Sequence, residues 1–391
     1  MRIALVGPAH PYKGGGARHT TELAHRLAAA GHNVIIESWR AQYPARLYPG
    51  EQTLDAPEGR PYPRTHRRLA WNRPDGWAAE GRRLRSADLV VFALLTPLQV
   101  PAYLAILAGL GRGPARPRTV VICHNVLPHE RRPGDVALIR ALLSHVDTVL
   151  VHSAEQAAEA RQLVPDVPIV VARMPPHLPL APEAPGAPGG DGGAWSPPQG
   201  GSGGMGPPRS EGGLGGVVPP ETRLLFFGIV RPYKGLDVLL RALAQAPEHV
   251  TLTVAGEFWG GTGEAEKLIA ALGLQDRVTL RPGYLPADQI PALFEAADAL
   301  VLPYREATAS QNVVLAFSYG VPVIATTAGA LAEAVRDGVD GLTCAPGDVD
   351  DLARALTAIS VPETAASLRS GVRAVDPEPY WAAYLRALLA A

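Results

Sequence analysis

The stretch RLLFFGIVRPYKGLDVLLRAL, residues 223–243, joins an apolar run to an amphipathic one through a short turn that carries Arg231 and Lys234. The first run has the length and β-type composition of a buried parallel strand, and the second has a helical period. Strand, turn and helix in that order is the unit of an open α/β sheet, and such sheets bind ligands beyond the carboxyl ends of their strands. Arg231 and Lys234 fall at that place. A guanidinium fork, an ammonium point charge and a helix N-terminus together make a site for a diphosphate.

The same unit recurs on both sides. Downstream, VTLTVAGE, VTLRPGY, ALVLPY, VPVIAT and GLTCAP alternate with EAEKLIAALG, IPALFEAA, VVLAFSYG, LAEAVRDG and DDLARALTAIS, and PYWAAYLRALLAA adds a last helix. Upstream, RIALVG, NVIIESW, LVVFALL, TVVICHN, TVLVHS and IVVARM alternate with HTTELAHRLAAAG and other helix-like stretches. Short apolar strands alternating with helices imply parallel sheets covered on both faces. The 391 residues also exceed one ordinary core. The fold class is therefore α/β, with two Rossmann-like, doubly wound domains. Between them residues 179–220 are mostly Gly and Pro and cannot bury enough apolar surface to offset chain entropy, so a disordered linker insertion is expected there. This divides the chain into 1–178, 179–220, 221–362 and a closing helical segment, 363–391.

Apolar residues make up 47% and charged residues 19%, the balance of a soluble globular protein. Cys123 and Cys344 stand far apart in strand-like contexts, which points to a reducing cytoplasm rather than a disulfide framework. MRIALVGPAHP lacks the length and small-residue cleavage pattern of a secretory signal. The run at 89–111 is interrupted by Thr96, Pro97, Gln99 and Pro101, so it reads as a strand followed by a helix rather than a membrane span.

The net charge of −1 hides an asymmetry: residues 1–178 hold 22 basic against 14 acidic side chains, and the remainder 14 against 23. The densest part, RTHRRLAWNRPDGWAAEGRRLR (64–85), contains seven arginines and two tryptophans. Arg67, Arg68, Trp71, Arg82 and Arg83 are either a solvated basic face or a patch for an anionic acceptor or the membrane surface. The second reading would station a cytoplasmic protein peripherally at the inner face of the membrane. No nucleic-acid-binding module is present, so nucleic acid is not an expected partner.

Arginine outnumbers lysine 33 to 3, and two of the three lysines, Lys13 and Lys234, occur in the same tetrapeptide, Pro-Tyr-Lys-Gly. After the first Pro-Tyr-Lys, Gly14, Gly15 and Gly16 lead into a helix. They are either a structural turn or a loop that lets backbone approach an anion. The spacing matches neither the dinucleotide fingerprint nor a P-loop. His124 stands at a strand tip, with Asn125, His129 and Glu130 just beyond, and that position favours a role in the cleft over a structural one. No His, Cys, Asp and Glu set recurs with metal-ligand spacing.

The strand–turn–helix with Arg231 and Lys234, then TVAGE, ALVLPY, a loop and helix, and YGVPVIAT followed by GAL, Glu333, Val335 and DGVDGL, resembles the retaining GT-B glycosyltransferases of family 4. PYKGGGARHTTELAHRLAAAGHNV resembles the opening of that family's acceptor domain, and the final helix resembles its segment that crosses back onto the first domain. The resemblance covers nearly the whole chain. It implies two domains facing a cleft, the first (1–178) for the acceptor and the second (221–362) for a nucleotide-sugar donor. It also implies Arg231 and Lys234 on the diphosphate, His124 near the transferred sugar, Gly15 and Gly16 approaching the diphosphate, and Glu257 and the turn 282–285 near the nucleotide. The implied activity is a hexosyltransferase-type transfer, with retention, to a glycan or lipid-linked acceptor in polysaccharide or glycolipid biosynthesis. No cofactor and no metal are implied.

The stretch PYREATASQNVVLAFSYGVPVIA (303–325) departs from the family. Members usually carry two glutamates eight positions apart before the Gly-x-Pro segment. Here Ala307 and Leu315 occupy those places, with Glu306 one residue out of register. Glu306, Thr308, Ser310, Gln311, Asn312 and Val313 remain as the donor-binding loop and helix start. Two other readings stay open: an epimerase or phosphorylase of the same fold, and a non-catalytic nucleotide-sugar binding protein.

Overall fold

The structure is a computed structural model that describes residues 1–44, 52–54, 59–128, 132–177, 220–307 and 311–391. The first domain is built on β1 (Arg2–Val6), β2 (Asn33–Ala41), β3 (Thr65–Ala70), β4 (Leu89–Leu94), β5 (Arg118–Cys123), β6 (Thr148–Val151) and β7 (Ile169–Val171). They form one sheet in the order β3-β2-β1-β4-β5-β6-β7, with every pair parallel. Helices α1 (Gly15–Ala29), α2 (Asp75–Arg83), α3 (Val100–Leu110), α4 (Asp135–Leu143) and α5 (Ala154–Leu163) link the strands. All six residues of β4 are buried, as a central parallel strand covered on both faces requires. One core contains Val6, Trp39, Phe92, Tyr103 and Ile106; the other contains Ile3, Leu5, Leu23, Leu27 and Ile36.

The second domain repeats the plan. β8 (Thr222–Phe227), β9 (Val250–Gly256), β10 (Val278–Pro282), β11 (Ala299–Leu302), β12 (Val323–Thr326) and β13 (Gly341–Cys344) lie parallel in the order β10-β9-β8-β11-β12-β13. They alternate with α6 (Leu236–Gln245), α7 (Gly263–Ala271), α8 (Ile290–Glu295), α9 (Gln311–Ser318), α10 (Leu331–Ala334) and α11 (Val349–Ile359). In each sheet the strand order reverses beside the first strand, between β1 and β4 and between β8 and β11. Each reversal opens a crevice at the carboxyl ends, and a Pro-Tyr-Lys-Gly turn follows β1 and β8 alike.

Two differences from the sequence reading, and one agreement with it, have physical causes. Part of the arginine-rich segment 64–85 is a strand: β3 pairs with β2 at the sheet edge, where charged side chains keep an open edge from pairing with another chain. The apolar run 89–111 divides into β4, a 3-10 turn over 97–99 that Thr96 and Gln99 cap reciprocally, and α3. No described helix is long and apolar enough to cross a membrane. Residues 363–391 fall into two parts. α12 (Pro362–Gly371) stays on the second domain, with Leu368 in its core and Arg369 donating to the Ala297 carbonyl at 3.0 Å. Only α13 (Glu378–Ala390) lies on the first domain, burying Trp381, Tyr384 and Leu388 against Ile3 and Leu5. The Gly/Pro-rich insertion lies outside the described residues.

Candidate active site

The β8–α6 turn is braced from β11. Gly235 caps α6 with φ +68°, and a Cβ there would stand 2.0 Å from the Pro303 carbonyl oxygen, so only glycine lets the two backbones meet. Arg305 completes the brace. Its N–H donates to Tyr233 O at 2.7 Å, and its guanidinium grips the Asp237 carboxylate at 2.9 and 2.7 Å and Pro232 O at 2.7 Å. The hydrogen bonds from Arg305 hold the Asp237 carboxyl below its ordinary range. Arg305 is thus spent on structure, and the cations of the turn are Arg231 and Lys234.

Each of those two lies over an aromatic face. The Arg231 guanidinium carbon is 4.6 Å from the Trp259 ring centre, and Lys234 Nζ is 5.1 Å from that of Tyr304. Asn312 Nδ2 donates to Phe227 O at 2.9 Å, which sets the start of α9 beside Gly228. Lys234 Nζ and Asn312 Nδ2 both come within 3.5 Å of where a Gly228 Cβ would be, so that glycine leaves the space open. A fork, a point charge and an amide around one turn suit an anion with several oxygens.

From the first domain comes Lys13. It forms an ion pair with Glu257, and only 3% and 15% of the two side chains are exposed. Its Nζ lies 5.1 Å from the Tyr284 ring centre. Val230 N donates to Glu257 O at 2.8 Å, so Glu257 adjoins the Arg231 turn directly. Gly15 and Gly16 open α1, whose N-terminus no side chain caps. A Cβ on Gly16 would meet the Leu95 side chain, which gives this glycine a packing reason of its own.

His124 sits at the tip of β5, its N–H donating to Leu94 O at 3.1 Å and its carbonyl accepting from Gln156 Nε2 at 3.0 Å. It belongs to a cluster the sequence reading missed. Its ring is 5.2 Å from His19 and 5.5 Å from His152. His19 and His177 share a hydrogen bond of 3.0 Å between Nδ1 and Nε2, and His19 Nε2 meets Tyr384 Oη at 3.1 Å. His152 Nδ1 donates to Ala172 O at 3.0 Å. Burial holds all four imidazoles neutral, lowering His152 to about 4 and His177 to about 3, and placing His19 and His124 well below the usual value. His124 Nε2, His152 Nε2 and His177 Nδ1 are buried without a hydrogen-bond partner. Among the described residues no three His, Cys, Asp or Glu side chains are placed to hold a metal ion.

The remaining loop residues have separate fates. Gln311 ties α9 to the segment leaving the first domain, accepting from His177 N at 2.9 Å and donating to Pro175 O at 3.2 Å. Val313 is core, so only its backbone can face a ligand. Leu315 is buried in the same core, so the place of the family's second glutamate is apolar in space as well as in sequence. Glu306 is exposed beyond β11. Thr308, Ser310, His129 and Glu130 lie outside the described residues.

Two arginines of the basic segment pair with two buried acids. Arg68 Nη1 is 2.7 Å from Glu37 and 3.6 Å from Glu80, and Arg83 is 2.7 Å from Glu80. Burial, then Glu80, pushes the Glu37 carboxyl up to about 8. Arg67 donates to His10 O at 3.0 Å, and Arg82 is exposed in the last turn of α2. Trp71 is 43% exposed at a cavity of about 150 Å³ that Trp39, Trp77 and Leu98 also line.

With this geometry go two family matches. Residues 13–173 match the model described as Glycosyltransferase Family 4, and residues 221–360 that described as Glycosyl transferases group 1. The chain belongs to the GT4-type glycosyltransferases. The chain is 36% identical over 175 residues to the D-inositol 3-phosphate glycosyltransferase of Mycolicibacterium paratuberculosis, covering 42% of this chain and 38% of that protein. It is 33% identical over 141 residues to that of Mycobacterium sp. (strain KMS), covering 35% and 32%. The match therefore spans about a third of these relatives' own length. The crystal structure of Anabaena HepE with UDP and glucose superposes with a TM-score of 0.68 at 16% identity, covering both chains fully. Sucrose-phosphate synthase from Thermosynechococcus elongatus gives 0.69 at 17%, covering 100% of this chain and 96% of that one. These likenesses establish the GT-B fold.

Proposed function

We propose that the protein transfers a sugar from a nucleotide-diphosphate donor to a glycan or lipid-linked acceptor, with retention of anomeric configuration and without a metal. The observation that carries this is the pairing of Arg231 and Lys234 on one braced turn at the crevice of the second sheet. When the bond from the anomeric carbon to the phosphate oxygen breaks, negative charge develops on the leaving diphosphate. Preorganised cations in a water-poor cleft stabilise that charge more than the ground state. The acceptor oxygen takes over the anomeric carbon and its proton passes to the leaving phosphate, so no strong protein base is needed. His124, held neutral by burial in the first domain, would bond a hydroxyl of the sugar. That HepE was solved with UDP and glucose supports a nucleotide-sugar donor in this fold.

Lys234→Ala should lower turnover by about 100-fold to 1,000-fold with folding preserved. Near-normal transfer in that variant would overturn the diphosphate assignment. A thermal-shift screen with UDP-, GDP- and ADP-sugars identifies the donor, since a ligand at 100 times its Kd stabilises the fold by about 2.7 kcal/mol. An inverted product, or a rate abolished by EDTA, would refute retention or metal independence respectively. The buried Leu315 favours one second reading, a non-catalytic nucleotide-sugar binding protein, which would bind donor yet show neither transfer nor slow donor hydrolysis.

A further inference from the structure

Lys13 is not explained by the site as described so far. It occupies the first domain's copy of the turn that carries Lys234 in the second: both are Pro-Tyr-Lys-Gly, both follow the first strand of their sheet, and both sheets reverse at that strand. The ion pair between Lys13 and Glu257 spans 244 residues of sequence and shows that the first turn reaches the second across the cleft. Glu257 is hydrogen-bonded through its backbone to Val230, the residue before Arg231. The Lys13 ammonium therefore meets the residue whose backbone is tied to the Arg231 turn.

A buried ion pair is poor glue, because desolvating both charges consumes most of what their attraction returns. The same pair is well suited to exchange. A diphosphate brings more charge and more acceptor oxygens than one carboxylate. The Tyr284 face beside the ammonium gives it a second contact while it changes partner. We propose that Lys13 binds the donor diphosphate from the first domain, and that its pair with Glu257 is a latch for which the incoming diphosphate competes. This rests on the nucleotide-diphosphate reading of the site and adds a cation from the opposite domain to it.

The test compares wild type, Lys13→Met, Glu257→Gln and the double variant for binding of UDP, GDP and ADP, and of UMP, GMP and AMP, by calorimetry. For the base that wild type binds, Lys13→Met should weaken the diphosphate by roughly 10-fold to 100-fold, as expected for a lost charged hydrogen bond, and the monophosphate by much less. Glu257→Gln should leave diphosphate affinity equal or higher, since the competitor is gone. The double variant should be as weak as Lys13→Met. Recovery of wild-type affinity in the double variant would mean that Lys13 only neutralises Glu257, and would overturn the proposal. Equal losses for mono- and diphosphate would overturn it too. If Lys13→Met alone fails to fold, the double variant, which buries no unpaired charge, still decides. A wild type that binds none of the nucleotides would instead refute the donor reading on which the latch depends.

Discussion

The four-histidine joint makes a quantitative prediction about acid. Burial lowers His152 from 6.5 to about 4, so between those values the unfolded chain binds a proton that the fold excludes. Stability from this group is complete above pH 6.5 and is lost as pH falls through that window. Going from pH 7 to pH 5 removes about 2 kcal/mol for one such imidazole. His177, lowered to about 3, contributes a similar loss, and His19 and His124 act in the same direction. Glu37 opposes them: raised to about 8, it gives stability that is present in acid and lost as pH rises through 8. The profile of the wild type alone therefore mixes signs, and a difference isolates one group. In His152→Asn the amide still donates to Ala172 O but never titrates. Urea unfolding of both proteins at pH 7 and pH 5 should show the variant losing about 2 kcal/mol less than wild type over that interval. Equal losses in the two proteins would refute a neutral, buried His152.

Two further outcomes follow from the braced loops. Gly235→Ala forces a Cβ against Pro303 O at a positive φ, so the melting temperature should fall by the equivalent of about 1–3 kcal/mol or more, and nucleotide binding should weaken as Lys234 is displaced. Glu306→Gln and Ser310→Ala should each change donor affinity or turnover; a change in neither quantity for either variant would show that the loop after β11 does not hold the donor.

Both sheets could be read from the sequence because parallel strands buried on two faces leave unbroken apolar runs, as in LVVFALL and ALVLPY. β3 could not, since THRRLA is an edge strand whose charges obscure the alternation. The turn with Arg231 and Lys234 was legible because strand, turn and helix are contiguous. The histidine joint was not: His19, His124, His152 and His177 come from four separate elements, and nothing in their spacing announces a meeting that only the parallel topology and α13 bring about. Lys13 and Glu257 were each noticed singly, Lys13 for its repeated tetrapeptide, but a contact across two domains has no local signature. The pairings of Arg68 and Arg83 were not legible either, because the acids they meet, Glu37 and Glu80, are hidden in the core.

The position of α13 also sets a timetable. Trp381 donates its indole N–H to Pro176 O, 205 residues upstream, and with Tyr384 and Leu388 covers Ile3, Leu5 and Ile36. A ribosome working at about 5–20 residues per second takes roughly 10–40 s to add that length of chain. For that interval the nascent first domain exposes an apolar sheet face and an unclosed histidine pocket, while the second domain is made and folds behind it. The newborn chain should therefore depend on chaperones that shield nascent chains, and damage to residues 378–390 should cripple the domain that was synthesised first.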